Sequence, residues 1–196
     1  MKAQRAVGRY RAIDLALFAA MLVIFENVVV MAANRWFPNE PYTVSVVPAV
    51  AAMVFIRWGP FGAIHALLGG AVFCLASHGS ASQFAIYCLG NLFSLAALPL
   101  IPLLGGDEGI RGDVLKTLLY GLIVLLLMQL GRAAVSLAFQ GSLQQALLFF
   151  TTDAVTDLFT LVILWIVRRL DGMLENQYHY LARLEREQEK ERGGYR

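Results

Sequence analysis

The chain has 196 residues, of which 58% are hydrophobic and 15% charged, with a formal net charge of +2 and a mean hydropathy of +0.62. Soluble domains run at about 45–50% apolar and about 25% charged, so the composition excludes an ordinary water-soluble fold. Basic residues gathered at the ends of apolar runs argue for membrane topology rather than nucleic-acid binding, and Cys74 and Cys88 have no metal-ligand spacing.

Residues 1–11 form a basic N-terminus with Lys2, Arg5, Arg9 and Arg11. The apolar run Ala12–Ala33 that follows is longer than the ~7–15-residue core of a secretory signal. Glu26 and Asn27 interrupt it, so an uncleaved first span is expected. A crossing helix needs about 20 apolar residues. Further candidates are Thr43–Ile56, Pro60–Ser77, Phe84–Leu104, Val114–Ala138 and Ala146–Val167. The second is short and carries Pro48, which predicts a kink or an incomplete crossing, tolerated where protein satisfies the freed carbonyl. The expectation is an all-α integral membrane protein, with a six-transmembrane-helix bundle over residues 12–169 and a charged cytosolic tail over 170–196. In that tail Leu170, Leu174, Tyr178, Leu181 and Leu184 recur at spacings of three and four, and Arg183 and Glu187 form an i,i+4 pair. This predicts an amphipathic helix from Leu170 to Arg192, ended by Gly193-Gly194. Its apolar face would lie against the membrane or the bundle, or would dock a partner subunit.

Lysines and arginines set the orientation. With the amino end inside, the inner segments hold Lys2, Arg5, Arg9, Arg11, Arg57, Arg111, Lys116, Arg168 and Arg169, and the outer loops hold only Arg35. An even number of spans in the cell membrane with both termini cytoplasmic follows.

Ionisable residues inside spans are costly and usually mark a site or pathway. On this topology Glu26 and Asn27 lie in the outer half of the first span, and Tyr87 and Asn91 in that of the fourth. Gln129 and Arg132 lie toward the outer end of the fifth; Thr152, Asp153, Thr156 and Asp157 open the sixth, with the two aspartates on one face. The inner halves of spans four to six are nearly pure Leu, Ile, Val and Ala. That pattern predicts a substrate pocket open to the outside, built by Glu26, Asn27, Tyr87, Asn91, Gln129, Arg132, Asp153, Thr156 and Asp157. His78, Ser80, Ser82 and Gln83 would form its rim. The alternative is that Arg132 pairs with Asp153 or Asp157 only to neutralise charge between helices. His65 is expected as a satisfied core histidine.

The sequence has no zinc-protease His-Glu-x-x-His, no Gly-x-Ser-x-Gly elbow and no phosphate-binding Gly-rich loop. The chain is therefore expected to be neither an enzyme nor able to power transport alone, and no cofactor or metal is expected. Ala12, Ala16 and Ala20 repeat every four residues on the inner half of the first span. Such small residues permit close helix approach, either within the bundle or against a partner.

The combination resembles the S component, the substrate-binding membrane subunit, of energy-coupling factor (ECF) transporters. The carrying residues are Ala12, Ala16 and Ala20, the Arg57-Trp58-Gly59-Pro60-Phe61-Gly62 junction with Gly69-Gly70-Ala71, and the sixth span with Asp153, Asp157 and Arg168-Arg169-Leu170-Asp171-Gly172. The resemblance implies six helices and a vitamin or other micronutrient bound in the outer half, under loops that include Arg35–Tyr42. It also implies docking through Ala12, Ala16 and Ala20 onto a transmembrane coupling subunit driven by two ATPase subunits, with toppling of the whole subunit delivering the ligand. Two rival expectations are a ligand-free structural membrane protein of the MreD type and a stand-alone proton-coupled carrier.

Overall fold

The computed structural model describes residues 2–38, 43–139 and 141–193, and among these residues every regular element is a helix. Five helical segments are long and apolar enough to cross a membrane: Val7–Trp36, Val47–Ala76, Ala81–Leu103, Val114–Ala138 and Leu143–Val167. The chain is a multi-pass membrane protein. Its outer surface agrees, since Ile13, Leu17, Ile24 and Val28 on the first helix are all more than half exposed, a face that water would not tolerate but lipid does.

Helix α1 (Lys2–Trp36) runs the length of the bundle from the end rich in basic residues, called here the basic end. The chain returns through Thr43–Val46 into α2 (Val47–Trp58). Pro48 does not kink α2. It sits in the first turn, where the missing N–H has no intrahelical partner to lose. At 12 residues α2 is about 18 Å long, well short of a ~30 Å hydrocarbon core. All of it is buried, packed among α1, α7 (Val114–Ala138), α9 (Ala154–Val167) and α3 (Gly62–Ala76). Protein rather than lipid surrounds it, so its length is not set by the bilayer.

Gly59, at φ +60 and ψ −130, breaks the helix and a 3₁₀ turn, Gly59–Phe61, reverses the chain into α3. A Cβ on Gly62 would meet the Phe55 ring, and one on Gly69 would meet Val47, so α2 and α3 lie antiparallel in close contact. The second and third expected spans are thus the arms of one folded-back segment. On the other side of α3, a Cβ on Gly70 would come within 2.8 Å of the Tyr87 backbone, which fixes how near α4 (Ala81–Asn91) can approach.

The fourth expected span is broken. A 3₁₀ stretch, Leu92–Ala97, and a short α5 (Leu100–Leu103) follow α4, with Pro99 at the cap of α5 and Pro102 within it. Helix α6 (Gly106–Gly112) then leads to Asp113, whose carboxylate accepts the Leu115 N–H at 2.8 Å and caps α7. The sixth expected span is also interrupted, into α8 (Leu143–Thr151) and α9.

The tail departs most from expectation. Turns occupy residues 168–175, with Gly172 at φ +73, and helix resumes only as α10 (Gln177–Gly193). The predicted apolar face is therefore not continuous. Leu174 is buried in the core while Leu170 is half exposed. Arg183 reaches Glu175 in the turn at 2.8 Å.

Candidate functional site

The interruption of the last span lies at Thr152–Asp153. Thr152 turns its hydroxyl back onto the Leu148 carbonyl at 2.8 Å. Asp153 occupies the cap position of α9 without bonding that helix's own N–H groups. Its carboxylate faces sideways: one oxygen accepts from Arg132 at 2.7 Å and the other accepts from the Thr43 hydroxyl. Arg132 and Asp153 are both almost wholly buried. Irregular backbone at membrane depth is tolerated where protein satisfies it, and here the Thr43 N–H donates to the Thr152 carbonyl at 3.0 Å.

Asn91 completes the centre. Its side-chain oxygen accepts from Arg132 Nε at 2.9 Å, and its amide nitrogen donates to the Ala66 carbonyl at 3.0 Å. Tyr87, one turn earlier on α4, lays its ring 4.7 Å from the Arg132 guanidinium and stacks on Phe73, centroids 4.5 Å apart. These residues meet because α4 and α7 touch at glycines: a Cβ on Gly131 would strike the Gly90 carbonyl, and one on Gly90 would lie 2.6 Å from the Arg132 backbone. Thr156 ties the centre to the α1–α2 connection, donating to the Thr43 carbonyl at 2.9 Å and accepting from the Ser45 N–H at 3.1 Å.

Other expected site residues lie around this centre or apart from it. Gln129 donates to Asp157 at 2.9 Å, a separate pair between α7 and α9. Glu26, fully buried, accepts the Val46 N–H at 2.8 Å. It thereby places a carboxylate at the positive end of α2, where the first N–H groups lack partners. Its second oxygen has no hydrogen-bond partner. Asn27 is not brought in; its amide donates to the Val23 carbonyl of its own helix at 2.8 Å.

Directly above this centre, at the end away from the basic residues, lies an open cavity of about 600 Å³, within the ~300–1,000 Å³ of small-molecule sites. Tyr87, Ser136 and Thr152 are among its lining residues, and the Ser80–Gln83 turn and α8 wall it. Ser80, Ser82 and Gln83 are thus at the cavity, as the sequence suggested for the rim; His78 does not line it. Ser136, Phe139, Gln145 and Phe149 were not singled out from the sequence. Ser136 was findable, since it follows Arg132 by one turn. Gln145 belongs to a Ser142-x-x-Gln145 capping box, which reads locally as a helix start only.

The basic end is filled instead. The Asp14 carboxylate accepts from Arg57 at 2.8, 2.9 and 3.1 Å and from the Trp58 indole at 2.6 Å. Arg57 also donates to the carbonyls of Gly172 and, at 3.3 Å, Met173. Tyr178 stands edge-on to Trp58 with centroids 5.2 Å apart and accepts from Arg11 at 2.9 Å. One ion pair therefore joins α1, α2 and the turn before α10. Asp14 sits inside an apolar run, and that placement was the available signal for it. His65 is buried nearby, with Nε2 3.0 Å from the Leu15 carbonyl. Ala12, Ala16 and Ala20 are all exposed, so they are not used to pack the bundle. No group of three or more potential metal ligands occurs among the described residues.

Compared with models of known protein families, with curated proteins and with solved structures, the chain matches none.

Proposed function

We propose that the chain is a substrate-binding membrane subunit of an ECF-type importer, which captures a vitamin or other micronutrient from outside. It would cross the cell membrane six times, α2 and α3 counting as two crossings, with both termini cytoplasmic and the basic end inside. The observation that carries this reading is the polarity of the bundle. A cavity of about 600 Å³ opens at one end above a desolvated Arg132–Asp153–Asn91 centre, while the other end is closed by Trp58, the Arg57–Asp14 pair and the turn before α10. Such an arrangement suits a receptor for one face of a membrane; a pore needs polar lining throughout.

In this reading Tyr87 and Thr152 carry the position of the centre to the bound ligand, and the exposed Ala12–Ala16–Ala20 stripe docks onto a transmembrane coupling subunit with two ATPase subunits. The chain itself does no chemistry. Purification from native membranes, followed by mass spectrometry of co-purifying small molecules and proteins, tests it. A retained metabolite and an ATPase-bearing module are the expected result. Uptake into vesicles by the purified chain alone, without ATP, would overturn it.

A second reading, a ligand-free structural protein, is favoured by one observation. The charges inside the bundle are engaged by protein: Arg132 with Asp153, Asp157 with Gln129, and Glu26 with the start of α2. It predicts that nothing small co-purifies.

A further inference from the structure

Two helices begin at the wall of the cavity, and both begin in the same way. At α4 the Ser80 N–H donates to Gln83 Oε1 at 2.7 Å, and the Gln83 N–H returns to the Ser80 hydroxyl at 3.4 Å. At α8 the Ser142 N–H donates to Gln145 Oε1 at 3.1 Å, and the Gln145 N–H returns to the Ser142 hydroxyl at 3.1 Å. Both glutamines line the cavity. A backbone N–H can be met only by an amide's oxygen, so each capping box fixes which way its side-chain amide is turned. One lone pair of each oxygen is used in this way, and each glutamine keeps its whole NH₂ group for the cavity.

The rest of the lining has the same neutral character. Ser82, Ser136 and Thr152 contribute hydroxyls, and Phe139 and Phe149 aromatic surface. Among the described residues, no Asp, Glu, Lys, Arg or His lines it. The nearby charges are spent elsewhere. Arg132 lies against the Tyr87 ring and pairs with Asp153, and Tyr87 itself is held between Arg132 and Phe73. An ionic ligand entering this cavity would lose hydration with no opposite charge to replace it, which is the dominant cost of burying an ion.

We infer that the ligand of this cavity is an uncharged, planar molecule rich in hydrogen-bond acceptors, such as a ring system bearing carbonyl or ring-nitrogen groups. Its acceptors are met by the amide NH₂ groups of Gln83 and Gln145 and its faces by Phe139 and Phe149. This rests on the reading of the chain as a binding subunit and narrows its substrate class.

The test uses the full chain in detergent and three probes on one bicyclic scaffold, neutral, anionic and cationic in turn: quinoline-3-carboxamide, quinoline-3-carboxylate and 1-methylquinolinium-3-carboxamide. Binding is followed by fluorescence titration and by protection against thermal unfolding. The neutral carboxamide is expected to bind at least tenfold more tightly than either ion. Gln145→Glu and Gln83→Glu keep the capping acceptor but replace the NH₂ donor with a charge. Each is expected to weaken the carboxamide tenfold or more and to improve the quinolinium cation. Tighter binding of either ion by the unaltered chain would overturn the neutral class while leaving a receptor. Absence of binding by all three overturns the class as well. If solvent extracts of the purified chain then also contain no small molecule, the receptor reading falls with it.

Discussion

The Arg132 guanidinium and the Asp153 carboxylate meet at 2.7 Å with both side chains nearly inaccessible. Thr43 holds the carboxylate's other oxygen, so one acidic group joins α7, α9 and the connection between α1 and α2. Removing one partner of a buried pair leaves the other charge uncompensated, a loss of about 3–5 kcal/mol. Asp153→Asn is expected to destabilise the protein by that order, read as a fall in the unfolding midpoint in detergent. The double variant Arg132→Leu/Asp153→Leu should be more stable than Asp153→Asn. A smaller loss in the single variant than in the double would show that the pair is not what holds these helices.

The α4–α7 crossing should resist the smallest enlargement. A Cβ on Gly131 would collide with the Gly90 carbonyl and with Phe93, and backbone cannot swing aside as a side chain can. Gly131→Ala is expected to cost about 1–3 kcal/mol through overpacking. Gly112→Ala has open space around its Cβ and serves as the control, with little change expected in the same thermal measurement.

Asp14 orients Arg57, and Arg57 holds the carbonyls of Gly172 and Met173. Hydrogen bonds involving charged groups are worth about 1.5–3 kcal/mol, which corresponds to roughly 10- to 100-fold in an opening equilibrium. Asp14→Asn should therefore speed amide exchange across residues 172–178 by about that factor. Unchanged exchange there would mean that the turn is held by Leu174 burial and Tyr178 stacking instead.

The first helix makes a prediction that separates docking from folding. Ala16 is exposed, and substitutions at such sites usually change stability by no more than about 0.5 kcal/mol. Ala16→Trp is expected to leave the unfolding midpoint in place while abolishing co-purification of a coupling subunit. Retention of the partner would remove the docking assignment.

The crossing number is open to direct measurement. In a chain whose Cys74 and Cys88 are replaced, single cysteines at His78 and Gly141 should react with a membrane-impermeant thiol reagent added outside. One at Glu108 and one at Pro60, which is exposed in the turn between α2 and α3, should react only after the membrane is opened. Labelling of Glu108→Cys or Pro60→Cys from outside would break the six-crossing arrangement.

Hydropathy alone determined that this chain is a helical membrane protein, because about 20 apolar residues in succession have no other stable place. It also located α7 to the residue: Val114–Ala138 was the expected span and is the observed helix. That Arg132, Asp153, Asn91 and Thr156 would turn away from the surface was legible as well, since polar groups inside long apolar runs stand out, and all four are buried. What those groups do with one another was decided only by tertiary structure. Asn27 is next to Glu26 in sequence, yet it bonds its own helix while Glu26 caps α2, a difference set by which side of α1 each occupies. The glycine contacts that bring α4 onto α7, the reversal at Gly59 and the breaks after Asn91 and at Asp153 depend on what packs opposite. Hydrophobic periodicity carries no record of that. Part of the cavity wall was hidden for the same reason: Gln145 and Phe149 are unremarkable in sequence and line the cavity only because three helix ends converge there.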